Sequence, residues 1–398
     1  LGSYLASAET ALNRLDHQPA DRQARDLYNF SVARSIEVIE KANLDPWDRP
    51  LTVPGPEGDY TLTTIKHPGP DRDPAAYDIT PSDSLVTGGS YVTERVTLPG
   101  VGAPVVAVGR QPSASANKTF SMRRIYTGPT AIIRFQGRKA KLEFMEPFAT
   151  EHVVLDGHDY PLAADFTAPV VVALTREKPA DLGLIRMLRP EKYADTARLT
   201  RLQPYDANRI PVIFVHGLQD TPASWTPMIN ALWADPVIRR RYQLWVYSYP
   251  SGYPFFYSAA LFRQTLDDVA RAFPNRKRVV LVGHSMGGMI CHLMVIDPGE
   301  KIWLDVFGKP PSETNLPAQT KKIAEESFVF HRRPEVARVV FMSTPHRGSD
   351  LAINWIGRIA TNLIKMPFFV ASIPIKTLSS ALVPTEGTTP LKRVPNSI

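Results

Sequence analysis

The sequence predicts an α/β protein, with a mainly parallel sheet covered on both faces and, ahead of it, a helical hairpin and a small β-rich domain. Three observations carry that expectation. From about residue 190, short wholly apolar runs alternate with helix-patterned stretches. Residues 50–165 are instead rich in Pro, Gly and short β-favouring runs, and the first 44 residues place apolar side chains at helical spacing. The boundaries read as 1–49, 50–165 and 166–398, consistent with two or more domains in 398 residues.

In the first segment Leu5, Ala8, Leu12 and Leu15 recur three and four apart, as do Tyr28, Val32, Ile36 and Ile39. Two helices follow from that spacing. Asp45-Pro46 is expected to end the second, because proline disfavours helical geometry in the residue before it. No second copy at a fixed period supports a helical repeat array.

The second segment carries β-favouring runs at Tyr91–Leu98, Val105–Val108, Ala131–Phe135 and Lys141–Phe144, separated by turn residues. His152 and His158 lie near Asp156 and Asp159, but without metal-ligand spacing or a further ligand, so they read as surface or turn residues.

The third segment predicts strands at Ile210–Val215, Leu244–Tyr249, Val279–Val282 and Val339–Met342. Helices are expected over Pro222–Trp233, 258–273 and 286–297, with an insertion between Pro298 and Pro334. Wholly apolar strands alternating with helices indicate a parallel sheet buried on both faces. Residues 166–176 fit either a strand or a buried helix.

Composition limits the function classes. Apolar residues make up 43% and charged residues 21%, as in an ordinary globular chain. Lys+Arg 46 against Asp+Glu 39 gives +7, but the basic residues are scattered. The densest cluster, Arg239-Arg240-Arg241, reads as a solvated helix end, and without a basic stripe interleaved with aromatics nucleic-acid binding is not expected. The single cysteine, Cys291, rules out an intramolecular disulfide and reads as a small buried packing residue. No stretch of 18 uninterrupted apolar residues predicts a membrane-spanning helix. The chain begins Leu1-Gly2-Ser3, which leaves open a removed targeting segment or a trimmed terminus.

The chemistry lies in Val279-Val280-Leu281-Val282-Gly283-His284-Ser285-Met286-Gly287-Gly288, an apolar strand running into G-x-S-x-G and then a helix. A bare match is weak, with about a one-in-ten chance in a chain of this length. Its position at a strand–helix junction within an alternating pattern gives it weight. Turning a strand sharply into a helix strains the serine and brings neighbouring backbones close, which requires glycine at 283 and 287. The result is a hydroxyl presented at the sheet edge as a nucleophile. A tetrahedral oxyanion would then be held by backbone N–H groups, one from Met286 and one from the loop after an early strand, here Leu218, with Gln219 as the near alternative. The His216 side chain is expected to pack that loop from beneath.

The segments PVIFVHG, GHSMGG and Ser343-Thr344-Pro345-His346-Arg347-Gly348-Ser349 together resemble lipase/esterase-type α/β hydrolases, in particular a bacterial group with a helical and β N-terminal extension. The resemblance spans about 190–398, and implies a serine hydrolase that cleaves carboxylic esters through an acyl-serine intermediate, without cofactor or metal. Amidase or acyltransferase chemistry on the same serine, or a non-catalytic scaffold, is the alternative. It implies an ester or lipid-like small-molecule substrate and a location in the bacterial cell envelope or outside the cell.

The family order is Ser, then Asp/Glu, then His. Only His292, His331 and His346 follow Ser285. The resemblance gives His346 a role in shaping the site floor, with the general base as its alternative, and Asp350 reads as a helix N-cap, with the triad acid as its alternative. The acid, the histidine and the last strands are therefore expected beyond residue 398. The apolar stretch Leu351–Val383 is expected to act as a lid that could meet a membrane surface, and Tyr249–Tyr257 to line an acyl pocket.

Overall fold

The computed structural model describes residues 1–67, 73–86, 92, 94–110, 126–177, 197–203 and 205–346. The fold is α/β, opened by a helical hairpin. Helix α1 spans Gly2–His17 and α2 spans Arg22–Lys41. Asp21 caps α2 by accepting from the Ala24 N–H. Leu5, Ala8, Leu12 and Leu15 face Tyr28, Val32, Ile36 and Ile39 in one buried cluster, the stripes that the spacing predicts. Helix α2 ends at Lys41, a turn earlier than Asp45-Pro46 suggests.

The hairpin packs on a mostly antiparallel sheet. Its strands are β1 (Leu51–Val53), β2 (Tyr60–Ile65), β3 (Tyr77–Pro81), β5 (Ala103–Gly109), β6 (Tyr126–Thr127), β7 (Thr130–Gln136) and β8 (Lys139–Met145), with the two-residue β4 (Thr97–Leu98) pairing elsewhere. The order is β1-β2-β8-β7-β5-β3, and β2 runs parallel to β8. Strand β9 (His152–Leu155) and strand β10 (His158–Pro161) form a separate hairpin in which His152 pairs with Asp159, while His158 pairs with Asp16 of α1. Strand β11 (Ala164–Asp165) pairs with β4.

One side chain closes a gap in this sheet. Strand β5 meets β7 only at Ala103↔Ala131 and Pro104↔Thr130, so Ile133 has no strand partner on that side. The fully buried Tyr28 hydroxyl fills the place, donating to the Ile133 carbonyl at 2.7 Å and accepting its N–H at 2.9 Å. Asn29 does the same for the neighbouring loop, donating to the Gly100 carbonyl and accepting from the Gly102 N–H.

Residues Ala168–Glu177 form helix α3, which settles the strand-or-helix ambiguity. Ala168 packs with Val106, Val108 and Tyr126 on the first sheet. The second sheet has five described strands: β12 (Arg198–Arg201), β13 (Ile210–Val215), β14 (Tyr242–Ser248), β15 (Val279–His284) and β16 (Val336–Met342). Their order is β12-β14-β13-β15-β16, with only β12 antiparallel to its neighbour. Along β13, Ile213 and Val215 bury against one face and Val212 and Phe214 against the other, so alternate residues serve opposite layers and the whole run is apolar.

Helix α4 (Thr226–Ala234), preceded by a 3-10 turn at Pro222–Trp225, covers the second of those faces. After helix α5 (Pro236–Arg241) and β14, helices α6 (Phe255–Ala272), α7 (Met286–His292), α8 (Lys301–Phe307) and α9 (Ala318–Phe328) cover the first. Helix α7 stops at His292, short of the expected 297. Beyond it the chain passes into turns, the Met294 and Val295 N–H groups donating three residues back to the Cys291 and His292 carbonyls, while the Arg333 N–H donates to the Met294 carbonyl at 2.7 Å. None of the described helices is long and apolar enough to cross a membrane.

The Arg239-Arg240-Arg241 cluster is not wholly a solvated end. Arg239 is 4% exposed. It folds back to donate to the Trp233 and Ala234 carbonyls that end α4, pairs with Glu151 at 3.2 Å, and lies over the Phe166 ring at 5.0 Å. Carbonyls at a helix end need donors from elsewhere, and here a guanidinium supplies them. Phe166, Val96, Leu98 and Phe148 share a cluster with Val212, Phe214, Trp225 and Trp233, which packs the β4–β11 pair and the turn after β8 on the second sheet.

Replacing Tyr28 by Phe leaves the two Ile133 backbone groups buried without partners. The expected loss is about 2 kcal/mol, read as a lower urea midpoint at unchanged slope. An unchanged midpoint would mean that the hydroxyl does not hold that edge of β7.

Candidate active site

The strand order reverses between β13 and β15: the chain steps from β13 to β14 on one side, then returns to place β15 on the other. The carboxyl ends of strands at such a switch point form a crevice where α/β sheets bind ligands. The register Val215↔Gly283 brings the loop after β13 level with Ser285. A Cβ built on Gly217 would lie 3.2 Å from the Ser285 Cβ and 3.0 Å from His284 Nδ1.

Ser285 joins β15 to α7 with φ 52° and ψ −119°, a conformation that non-glycine residues rarely adopt and that carries about 1–3 kcal/mol of strain. Close backbone packing holds it there. A Cβ on Gly283 would come within 2.6 Å of the Gly288 Cα, and one on Gly287 within 2.2 Å of the Val215 carbonyl oxygen and 2.4 Å of that of His216. These are approaches of main chain to main chain, so a rotamer change cannot relieve them. The Ser285 N–H donates to the Met342 carbonyl of β16 at 2.9 Å, and the Ser285 carbonyl accepts from the Gly288 N–H at 3.0 Å. The serine is half-buried, and among the described residues its hydroxyl has no hydrogen-bond partner. The Met286 N–H, at the first helical position, has no acceptor within the helix.

The loop after β13 carries the second set of donors. Gln219 is exposed with φ 57°, and its N–H already donates to the buried Ser251 hydroxyl at 3.3 Å. The Leu218 N–H donates to no described residue, and its side chain is half-buried. Beneath the loop His216 is 1% exposed. Its Nε2 accepts the Tyr249 N–H at 3.3 Å and its Nδ1 lies 2.9 Å from the Gly217 carbonyl oxygen. The Tyr249 ring stacks on the imidazole at 4.4 Å, and its hydroxyl donates to the His216 carbonyl at 2.8 Å.

That arrangement corrects one expectation. Tyr249 does not line an acyl pocket: it is 1% exposed, and burial drives its hydroxyl well above the usual tyrosine pKa. Tyr253 is buried too, in edge-on contact with Tyr257. Asp220 escaped the sequence reading. It accepts from the Thr221 N–H and the Ser224 hydroxyl, and its Oδ2 lies 4.0 Å from Nδ1 of the half-exposed His284.

Of the histidines after Ser285, His292 and His346 lie together. His292 closes α7, about 10 Å along the helix axis from Ser285 by helical rise. Its ring meets those of His346 at 5.4 Å and Phe341 at 6.0 Å. Partial burial, and then the neighbouring His346, lower the His292 pKa. His331 is exposed and pairs with Asp297 at 2.5 Å. Cys291 is fully buried, and burial raises its thiol pKa. Among the described residues no group of three or more His, Cys, Asp or Glu side chains is placed to hold a metal ion. Asp350, Arg347-Gly348-Ser349 and the apolar Leu351–Val383 stretch lie outside the described residues.

Residues 212–385 match the profile of the alpha/beta hydrolase family. The matched stretch holds strands β14 to β16, most of β13, and the strand–serine–helix bend of the α/β fold described above. Two solved structures similar to it are of the Bacillus licheniformis lipase BlEst2. The mature form is 22% identical over 44% of this chain and 59% of that one, with a TM-score of 0.24. The propeptide form is 21% identical over 44% of this chain and 32% of that one, with a TM-score of 0.25. This chain thus spans less than two thirds of either. A search of curated proteins found no match.

Three outcomes follow from this geometry. Ser285→Gly should stabilise the fold by about 1 kcal/mol, because glycine adopts this backbone without strain; a melting temperature at or below that of the unaltered protein would contradict the strain. Gly287→Ala should destabilise by about 3 kcal/mol through overpacking, measured by denaturant unfolding. For His292 the folded state binds protons less readily than the unfolded chain, so stability should fall as pH drops below the ordinary value of 6.5. His292→Gln should flatten that acid limb in a pH series of melting curves.

Proposed function

We propose that this domain is a serine hydrolase that cleaves carboxylic esters, with Ser285 as nucleophile. The observation that carries the reading is the serine at φ 52° on the bend between β15 and α7, beside Gly217 at the switch point of the sheet. The match of residues 212–385 to the alpha/beta hydrolase family supports it.

In the proposed reaction a general base takes the Ser285 proton as Oγ attacks the ester carbonyl carbon. The Met286 and Leu218 N–H groups hold the developing oxyanion, and the engagement of the Gln219 N–H by Ser251 favours Leu218 as the second donor. The tetrahedral intermediate collapses, the alcohol leaves with the proton from that base, and water then releases the acid from the acyl-serine. Nothing in this sequence of steps calls for a cofactor. An ester whose acyl part is lipid-like is the substrate class we propose, and contact with a membrane surface and an envelope or extracellular location belong to the same proposal.

A fluorophosphonate probe tests the nucleophile on the intact protein. Labelling should map to Ser285 and vanish in Ser285→Ala, with turnover of a p-nitrophenyl ester falling at least about 1,000-fold. An intact, folded protein that never labels would overturn the reading and leave a non-catalytic scaffold. Comparison of matched ester and amide substrates then decides the bond cleaved: faster amide turnover, or transfer to an added alcohol in place of water, would replace the esterase with an amidase or an acyltransferase.

A further inference from the structure

We infer that His216 and Tyr249 are positioning residues that aim the Leu218 N–H at the site, an inference that rests on the proposed role of Ser285. The argument starts from where one proton must be. The Tyr249 backbone N–H can only donate, so the His216 Nε2 that it meets at 3.3 Å is an acceptor and carries no hydrogen. The neutral imidazole then carries its hydrogen on Nδ1, and it is Nδ1–H that donates to the Gly217 carbonyl at 2.9 Å.

That bond orients a peptide plane. The described residues contain no cis peptide bond, and across a trans peptide the carbonyl and the following N–H point in opposite directions. With the Gly217 carbonyl drawn toward a ring that is 1% exposed, the Leu218 N–H is turned away from the interior. The side it faces is the crevice at the carboxyl ends of β13 and β15, where Gly217 lies against Ser285. A flipped 217–218 peptide would present a carbonyl to the oxyanion and remove a donor.

Tyr249 holds the ring that does this. Its stacking at 14° between ring planes fixes the imidazole plane, its N–H selects the tautomer, and its hydroxyl ties down the His216 carbonyl at 2.8 Å. The loop is pinned again beyond Leu218, where the Gln219 N–H meets Ser251. Leu218 thus sits between two anchored peptides. Neither His216 nor Tyr249 is placed to touch substrate, since both are buried beneath the loop.

Substitution separates aiming from mere support. His216→Leu removes the donor to Gly217, whereas His216→Asn places an amide N–H near the Nδ1 position. Both variants forfeit the acceptor for the Tyr249 N–H, so both should melt at lower temperature. The fluorophosphonate labelling rate of Ser285 and kcat for a p-nitrophenyl ester should fall at least about tenfold in His216→Leu, in the direction of losing one oxyanion donor. KM should stay near its original value. In His216→Asn both rates should stay within about threefold of the unaltered protein. Tyr249→Phe, which keeps the stack and loses one bond, should show a smaller kcat loss than His216→Leu. Equal labelling rates in the folded Leu and Asn variants, or a change confined to KM, would overturn the inference. If the unaltered protein fails to label at all, the nucleophile assignment itself falls, and that result is read before any variant is made.

Discussion

At the junction of β13, β15 and α7 three stretches of main chain meet with no side chain between them. The Gly287 backbone lies against the Val215 and His216 carbonyls, and the Gly283 backbone lies against Gly288. Any β-carbon at either position would have to enter space that fixed main-chain atoms occupy, so the bend can exist only with glycine there. Once it exists, the serine between them is forced to positive φ, and the Met342 carbonyl of the neighbouring strand fixes its N–H. Position, strain and exposure of the hydroxyl are thus consequences of packing rather than separate features. The same contact sets the height of the His216–Leu218 loop relative to the serine, and so couples the two halves of the proposed oxyanion site.

The sheet beneath is built to resist that strain. Strand β13 is central, flanked in parallel by β14 and β15, and buried on both faces by alternate residues. A strand with partners on both edges and helices on both faces has little freedom to bend, so the distortion concentrates at its end. The aromatic stack of Tyr247, Tyr249 and His216 continues that rigidity upward from the sheet into the loop.

Much of this was legible in the residues, for identifiable reasons. The bend is encoded locally, because G-x-S-x-G after an apolar strand states both the turn and the steric demand. The helical hairpin is legible because Leu5, Ala8, Leu12 and Leu15 repeat with the helix period. What stayed hidden depends on contacts between residues far apart in the chain. Three consecutive arginines look like a wet helix end, and nothing near them announces that Arg239 will meet Glu151 and Phe166. Tyr249, in an aromatic run after a strand, reads as pocket lining until the stacked His216 is seen. Helix α7 carries no glycine or proline at its actual end, where the chain tightens into turns and the distant Arg333 N–H meets the Met294 carbonyl. The parallel pairing of β2 with β8 leaves no local trace either, since register across 78 residues is a property of the fold.

Arg239 ties the segment that flanks β9 to β11 to the helix beside the second sheet. Its guanidinium draws on carbonyls from one side of the junction and a carboxylate and an aromatic ring from the other. A foreign N-terminal segment grafted ahead of β12 would bring neither Glu151 nor Phe166, and would leave a dehydrated cation facing whatever replaced them. The residues opposite Arg239 are therefore as much a part of the second sheet's folding as its own strands.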